Sequence, residues 1–328
     1  MAVLRISLER SLMRRFILGV SVLVALTSCE RIPQTAQEQY RKGIEAASKE
    51  DWGKAKFLLE KALSGELSPK EQEIAKIALA DSYFNDGDYE NAALNYEEFL
   101  ELYPASPRAK DALFRLGVCY LNLTKGPEWD VTFAKKAYNI FSNFIERYPS
   151  DPRVDKAKEY RKIARKILAE HQIYIAGTYD MLRKFTASIQ RYQKVKREYW
   201  DVESPDRMDY LIGRAYYYTP LQAKEEIGRL KDHLKSEKER LKSDDPDERR
   251  VAKNRIDLIE KDIKRWKEIA KLNREKGREI LSQVAKKYPN SPYGIKALEI
   301  LNGKEHLEVE PVINPIKRSI WWKIKETI

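Results

Sequence analysis

The stretch FIERYPSDPRV (144–154) reads as a helix end, a stop and a new start. Pro149, directly after Tyr148, removes an N–H and crowds the preceding turn, so the outgoing helix ends there. Asp151-Pro152 has the form of an N-cap followed by a first-turn proline. The same punctuation recurs in FLELYPASPRA (99–109) and VAKKYPNSPYG (284–294). It recurs again in VKREYWDVESP (195–205), with tryptophan in place of the first proline. The tyrosines fall at 103, 148, 199 and 288. The first two intervals are 45 and 51 residues; the third, 89, reads as one repeat plus an insertion.

A second, shorter turn recurs along the chain: SKEDWGKAKFLLEKAL (48–63), FNDGDYENAALNYEEFL (84–100) and LRKFTASIQRYQKV (182–195). In the first two, a glycine sits beside an aspartate and an aromatic. Small pairs, Ala92-Ala93 or Ala187-Ser188, let two helices approach. This is the small-and-aromatic pattern of tetratricopeptide helix–turn–helix repeats, with a period stretched beyond about 34 residues. Glycine (13) and proline (14) are scarce and cluster at the turns, which suits an all-helical chain. The fold class is therefore all-α: a tetratricopeptide-like solenoid over 36–301 with about five helix pairs. They fall at 36–67, 71–103, 109–148, 153–200 and 204–298. A generic helical bundle is the plainer alternative, but it does not explain punctuation in register. Stacked repeats of this kind present faces that bind peptides and protein segments.

The fifth pair carries a charged insert at 220–278. Ile227, Leu230, Leu234 and Leu241 line its first arm; Ile256, Ile259, Ile263, Trp266 and Ala270 line its second. Both follow the three-four spacing of an apolar seam, and SDDPDE (243–248) is the turn between them. We read this as an antiparallel helical hairpin projecting from the solenoid, with two solvated helices lying along the body as the alternative.

The chain opens with Arg5, Arg10, Arg14 and Arg15, then an apolar run from Phe16 to Leu26, then small residues. That order is an export signal, and the run is shorter than the roughly 20 residues a membrane span takes. Leu26-Thr27-Ser28-Cys29 resembles a bacterial lipobox. We expect cleavage after residue 28, diacylglycerol and N-acyl lipid on Cys29, and a linker over 29–35. Two or more acyl chains give a stable anchor where one gives a marginal one. Glu30 leaves inner-membrane retention as an alternative to the outer membrane.

The 300 residues after the signal keep a formal charge of +8 of the chain's +11. Export argues against nucleic acid, so the basic balance points to anionic headgroups or an acidic partner. With Cys29 taken up by lipid, Cys119 is not expected to form a disulfide within the chain and reads as a small buried hydrophobe. His171, His233 and His306 are scattered, and no HExxH, phosphate loop, CxxC or GxSxG occurs. A cell-wall hydrolase would need an acid and a base that nothing places. The expectation is no enzyme, no metal and no cofactor beyond the lipid. After Gly303 the tail (302–328) repeats Ile316, Ile320, Ile324 and Ile328 among basic residues. Ile320, Trp321, Trp322 and Ile324 are candidate membrane or partner contacts; folding back as a cap is equally open.

DALFRLGVCYLNL (111–123), DVTFAKKAYNIFSNFIERYPSDPRVDKA (130–157) and LAEHQIYIAGTYDMLRKFTASIQRYQKV (168–195) resemble the BamD (YfiO, ComL) family of outer-membrane lipoproteins. The resemblance covers roughly 29–220 and 279–301; the insert and the tail depart from it. It implies a non-enzymatic scaffold on the outer membrane of a Gram-negative bacterium, facing the periplasm. It also implies docking of the C-terminal repeats on a BamA-like barrel protein, and further assembly lipoproteins as companions. The N-terminal repeats would receive the C-terminal signal of unfolded outer-membrane proteins. Candidates for that contact are Tyr40, Tyr83, Phe84, Arg115 and Tyr120, with inter-repeat core as their alternative role. Arg191 and Tyr192, in the matching Arg-Tyr motif, are candidates for coupling to the barrel protein; a surface ion pair is the alternative for Arg191. The rival reading in the same class is a pilotin that assists a secretin.

Overall fold

A computed structural model describes residues 35–308 together with Pro311 and Ile313. The export signal, Cys29 and the tail candidates Ile320, Trp321, Trp322 and Ile324 lie outside the described residues. Among the described residues every regular element is helical. The chain forms two compact units, divided between Ala112 and Leu113.

The first unit holds α1 (Ala36–Ser48), α2 (Trp52–Leu63), α3 (Pro69–Asn85) and α4 (Tyr89–Leu102). Side-chain oxygens cap each start: Thr35, Asp51, Ser68 and Asp88 accept from the N–H three residues on. Ser68 and Glu71 cap each other reciprocally, with Pro69 at the first helical position. The Gly87 turn needs a left-handed residue, φ +81°. A Cβ on Gly43 would meet Leu59 at 2.9 Å, so α1 and α2 cross closely. Ala46 of α1, Ala55, Leu59 and Ala62 of α2, and Ala75 and Leu79 of α3 form one core. We expect Ser68→Ala to lower stability by about 1 kcal/mol, read as a drop in melting temperature. The bonds from Ser68 also hold the Glu71 carboxyl below its ordinary 4.5. The ionised side of the cap is therefore fully present above 4.5 and fades as pH falls through the lowered value.

The second unit holds most of α5 (Ala109–Leu123), then α6 (Thr132–Arg147), α7 (Val154–Met181) and α8 (Phe185–Glu198). It ends with α9 (Pro205–Arg240), α10 (Pro246–Lys287) and α11 (Pro292–Leu301). Gly117 admits the Phe141 ring, which a Cβ would meet at 2.7 Å, so α5 and α6 pack closely. Phe114 adds edge contacts to Phe141 and Phe144.

The repeated tyrosines all end helices in one way. The N–H of Tyr103, Tyr148, Tyr199 and Tyr288 donates to the carbonyl four residues back, and the chain then leaves the helical path. The rings of Tyr103 and Tyr148 rest on Phe99 and Phe144, one turn earlier, at 5.3 and 5.6 Å. The starts differ from the sequence reading in detail. Ser291 and Ser204 stand at the N-cap, and the Ser291 hydroxyl accepts from the Gly294 N–H. Ser106 and Asp151 instead accept from the N–H two residues on, in a turn before the helix.

The segment 220–278 is not a separate element. It is the continuation of α9 and α10, which run 36 and 42 residues without a break and turn back over 241–245. No residue of α9 beyond Ala223, and none of α10 between Ala252 and Gly277, is fully buried. The predicted seam residues are half-buried apart from Leu241. Pro220 lies inside α9, where it disturbs a turn. Arg274 of α10 donates to the Tyr217 carbonyl in that turn at 2.9 Å, with its guanidinium 3.3 Å from the Tyr217 ring centroid.

Candidate functional site

The sequence candidates scatter over both units. Tyr40 and Tyr83 are half-buried against the first unit's core. The Tyr83 hydroxyl donates to Glu60, and burial with that carboxylate pushes the phenol up to about 12. Phe84 is 2 % exposed and packed edge-on against Tyr89 and Tyr96. Tyr120 is equally buried, stacked on Phe133, with Lys136 reaching its hydroxyl at 3.1 Å. Phe84 and Tyr120 are therefore core residues, covered by the rings of Tyr89 and Tyr96 and of Phe133. Arg115 is half-buried on α5. The exposed apolar side chains of the first unit include Phe57, Leu94 and Leu102, which periodicity did not single out.

Arg191 bonds Gln172 at 3.1 Å and lies over the Tyr179 ring at 5.4 Å. Tyr192 is a correction: it is 1 % exposed and donates to Asp180 at 3.0 Å. Burial and the Asp180 charge push its phenol up, so it is a buried strut.

Asp180 belongs to a buried polar network joining α7 to α9. Its Oδ2 also accepts from Arg214 Nη2 at 2.7 Å. Further back along α7, Glu170 takes both terminal nitrogens of Arg207, at 2.6 and 3.1 Å. Lys166 lies 3.1 Å from Glu170 and 2.7 Å from Glu203. Burial, then the neighbouring Glu170, pushes the Glu203 carboxyl up, while Lys166 and Arg207 pull it back. This network holds α7, α8 and α9 in register and offers no open position for a reaction. His171 bonds the Pro127 carbonyl at 2.7 Å and takes no part. Among the described residues no cluster of three or more potential metal ligands occurs.

The opposite face of α9 borders a groove of about 540 Å³ in the second unit. Lys196 and Arg197 of α8 and Lys276 and Lys287 of α10 give it four bases against one acid, Asp209, which pairs with Lys196. Ile212, Ile280 and Val284 form an apolar strip, and Tyr216 and Tyr288 supply aromatic faces. Lys276 lies over Tyr216 at 4.6 Å and Lys287 over Tyr288 at 5.1 Å. Gln193 fixes the Tyr216 hydroxyl at 3.1 Å. Long bases poised on aromatic rims suit an acidic, partly apolar protein segment. Sequence reasoning missed this groove; its only signal was the tyrosine run at 216–218 followed, sixty residues later, by spaced lysines.

Among the described residues the elements are helices joined in antiparallel pairs, which is the class of a tetratricopeptide-type helical repeat protein. The chain matches the model of the YfiO family, described as outer membrane lipoproteins, over residues 33–230, and a tetratricopeptide repeat model over 269–291. The protein belongs to the YfiO (BamD) family of outer-membrane lipoproteins. It is 29 % identical over 270 residues to a protein of Aquifex aeolicus (strain VF5) named provisionally as the outer membrane protein assembly factor BamD. That match covers 81 % of this chain and 88 % of the relative. It is 24 % identical to the outer membrane protein assembly factor BamD of Buchnera aphidicola subsp. Acyrthosiphon pisum (strain APS), over 54 % of this chain and 77 % of that one. Among solved structures it is similar to a thermophilic tetratricopeptide protein of Thermus thermophilus, with a TM-score of 0.29 and 17 % identity. That likeness covers 68 % of this chain and 99 % of that one.

Proposed function

We propose that this protein is a non-enzymatic scaffold of outer-membrane protein assembly, anchored by lipid on Cys29 and facing the periplasm. Its second unit binds a periplasmic segment of a BamA-like barrel protein, and its first unit receives the C-terminal signal of unfolded barrel proteins. The family match, with two relatives named as assembly factors, carries this reading. The basic aromatic groove supports the second unit's share of it. Four cations and two tyrosine faces would steer and hold an acidic loop; half-buried Arg191, beside Gln172 and Tyr179 of α7, is a separate candidate contact for the same partner. For the first unit, half-buried Tyr40 and Tyr83 and exposed Phe57 offer aromatic surface.

The test is a mild-detergent pull-down from native envelopes, with the wild type and with Lys276→Glu plus Lys287→Glu. Recovery of a barrel protein with periplasmic domains by the wild type is expected. The double charge reversal should weaken that capture on the order of tenfold at low salt, with the melting temperature unchanged because both lysines are exposed. Recovery of a secretin, or of no barrel protein, would overturn the reading.

A further inference from the structure

After α11 the chain turns back at Gly303, φ +93°. Residues 304–308, Pro311 and Ile313 then return over α7 and α9 as an irregular strap. The strap lies on the buried charge network. Arg214 Nη1 donates to the Glu308 carbonyl at 2.9 Å, and Arg207 Nη2 to the Pro311 carbonyl at 3.4 Å. The Ile313 N–H donates to Glu170 at 3.2 Å, and the His306 N–H to the Tyr218 hydroxyl at 3.0 Å. All four of these bonds end on main-chain atoms of the strap. A cradle that grips only backbone reads an extended peptide, and is tolerant of its sequence. Among the described strap residues, the Leu307 side chain packs at the edge of the core and the His306 ring is held between Glu299 and Glu308.

The strap also leaves the cradle incompletely satisfied. Among the described residues, the buried Asp180 Oδ1 and Arg207 Nε have no hydrogen-bond partner. Asp180 and Arg207 are 5 % and 1 % exposed, and a buried polar atom left unpaired is costly. A segment filling the cradle better would offer one more donor and one more acceptor.

We propose that the α7–α9 cradle formed by Glu170, Arg207, Arg214 and Tyr218 is a binding site for an extended peptide. It is held closed in cis by the chain's own strap. Occupation by a segment of another protein requires the strap to leave. The site is distinct from the groove on the opposite face of α9, so the inference stands whichever partner that groove takes.

The test uses the full chain and a synthetic peptide of residues 304–313, with amide hydrogen exchange as the readout. The His306 and Ile313 amides should exchange through a local opening, faster than the amides of α9 around Tyr210. Millimolar peptide should speed the strap amides at least about tenfold, because peptide bound in trans leaves the chain's own strap exposed. A chain ending at Gly303 should stay helical and bind the peptide at least about tenfold more tightly than the full chain does. Strap amides that exchange only with global unfolding, and do not respond to peptide, would show the strap to be a fixed part of the fold. A shortened chain that fails to fold would overturn the proposal in the same way.

Discussion

Arg207→Met is expected to destabilise the second unit by about 3–5 kcal/mol. Arg207 is among the largest fully buried side chains. Methionine fills much of the same volume, so the loss is electrostatic rather than a cavity. It strands Glu170, whose carboxylate is 0 % exposed and takes two charge-assisted bonds from that guanidinium. Lys166 remains within 3.1 Å but cannot replace a bidentate fork. The penalty is chiefly that of leaving a buried charge half-paired. Thermal unfolding should show it directly, and a loss under about 1 kcal/mol would mean that water reaches Glu170.

Glu203 should behave in the opposite sense. Its carboxyl is pushed up by burial first and by Glu170 second. The folded state therefore penalises its charged form. That cost is fully present above the raised value, is relieved as pH falls through it, and vanishes below the ordinary 4.5. Glu203→Gln should accordingly cost less than about 1 kcal/mol near neutrality. Wild type and variant should differ in the pH dependence of their melting temperature between those two values.

Gly277→Val should be the second severe change. A Cβ at Gly277 would stand 2.3 Å from the Tyr217 nitrogen, 2.6 Å from its Cα and 2.8 Å from the Gly213 carbonyl oxygen. All three are backbone atoms of α9, so no rotamer change relieves the clash and the helices must part. Overpacking a core costs about 1–3 kcal/mol when side chains yield; against backbone the loss should reach at least about 3 kcal/mol. Parting the helices would also release Arg274 from the Tyr217 carbonyl and Asn273 from Thr219. Gly228→Ala is the control. Nothing lies within 4 Å of a Cβ there, and the helix propensity gain should stabilise by about 0.5–1 kcal/mol. Opposite shifts in melting temperature for two glycines on one pair of helices would separate crossing geometry from propensity.

The candidate site was less legible than the fold. Phe84 and Tyr120 read as possible contact aromatics because helical spacing marks a face without saying what covers it. Tyr192 sat in a recognisable Arg-Tyr motif, yet its partner, Asp180, lies on another helix. The groove is assembled from α8, α9 and α10, and Lys276 meets Tyr216 across a turn sixty residues round. Only the tertiary fold makes that pair.

The sequence by itself determined that the chain is helical and where several of its helices stop and start. Tyr103, Tyr148, Tyr199 and Tyr288 close helices through bonds to the residue four back, and Ser68 and Ser291 open them through bonds three residues on. Such interactions are local, so neighbouring residues encode them. Which charges are buried was decided only in three dimensions. Glu170 and Arg207 are 37 residues apart, and Arg214 and Glu308 are 94 apart. In a chain one-third charged, the buried carboxylates and guanidiniums look like all the solvated ones until the helices stack. The desolvation that distinguishes them is a property of the packed structure and of no sequence window.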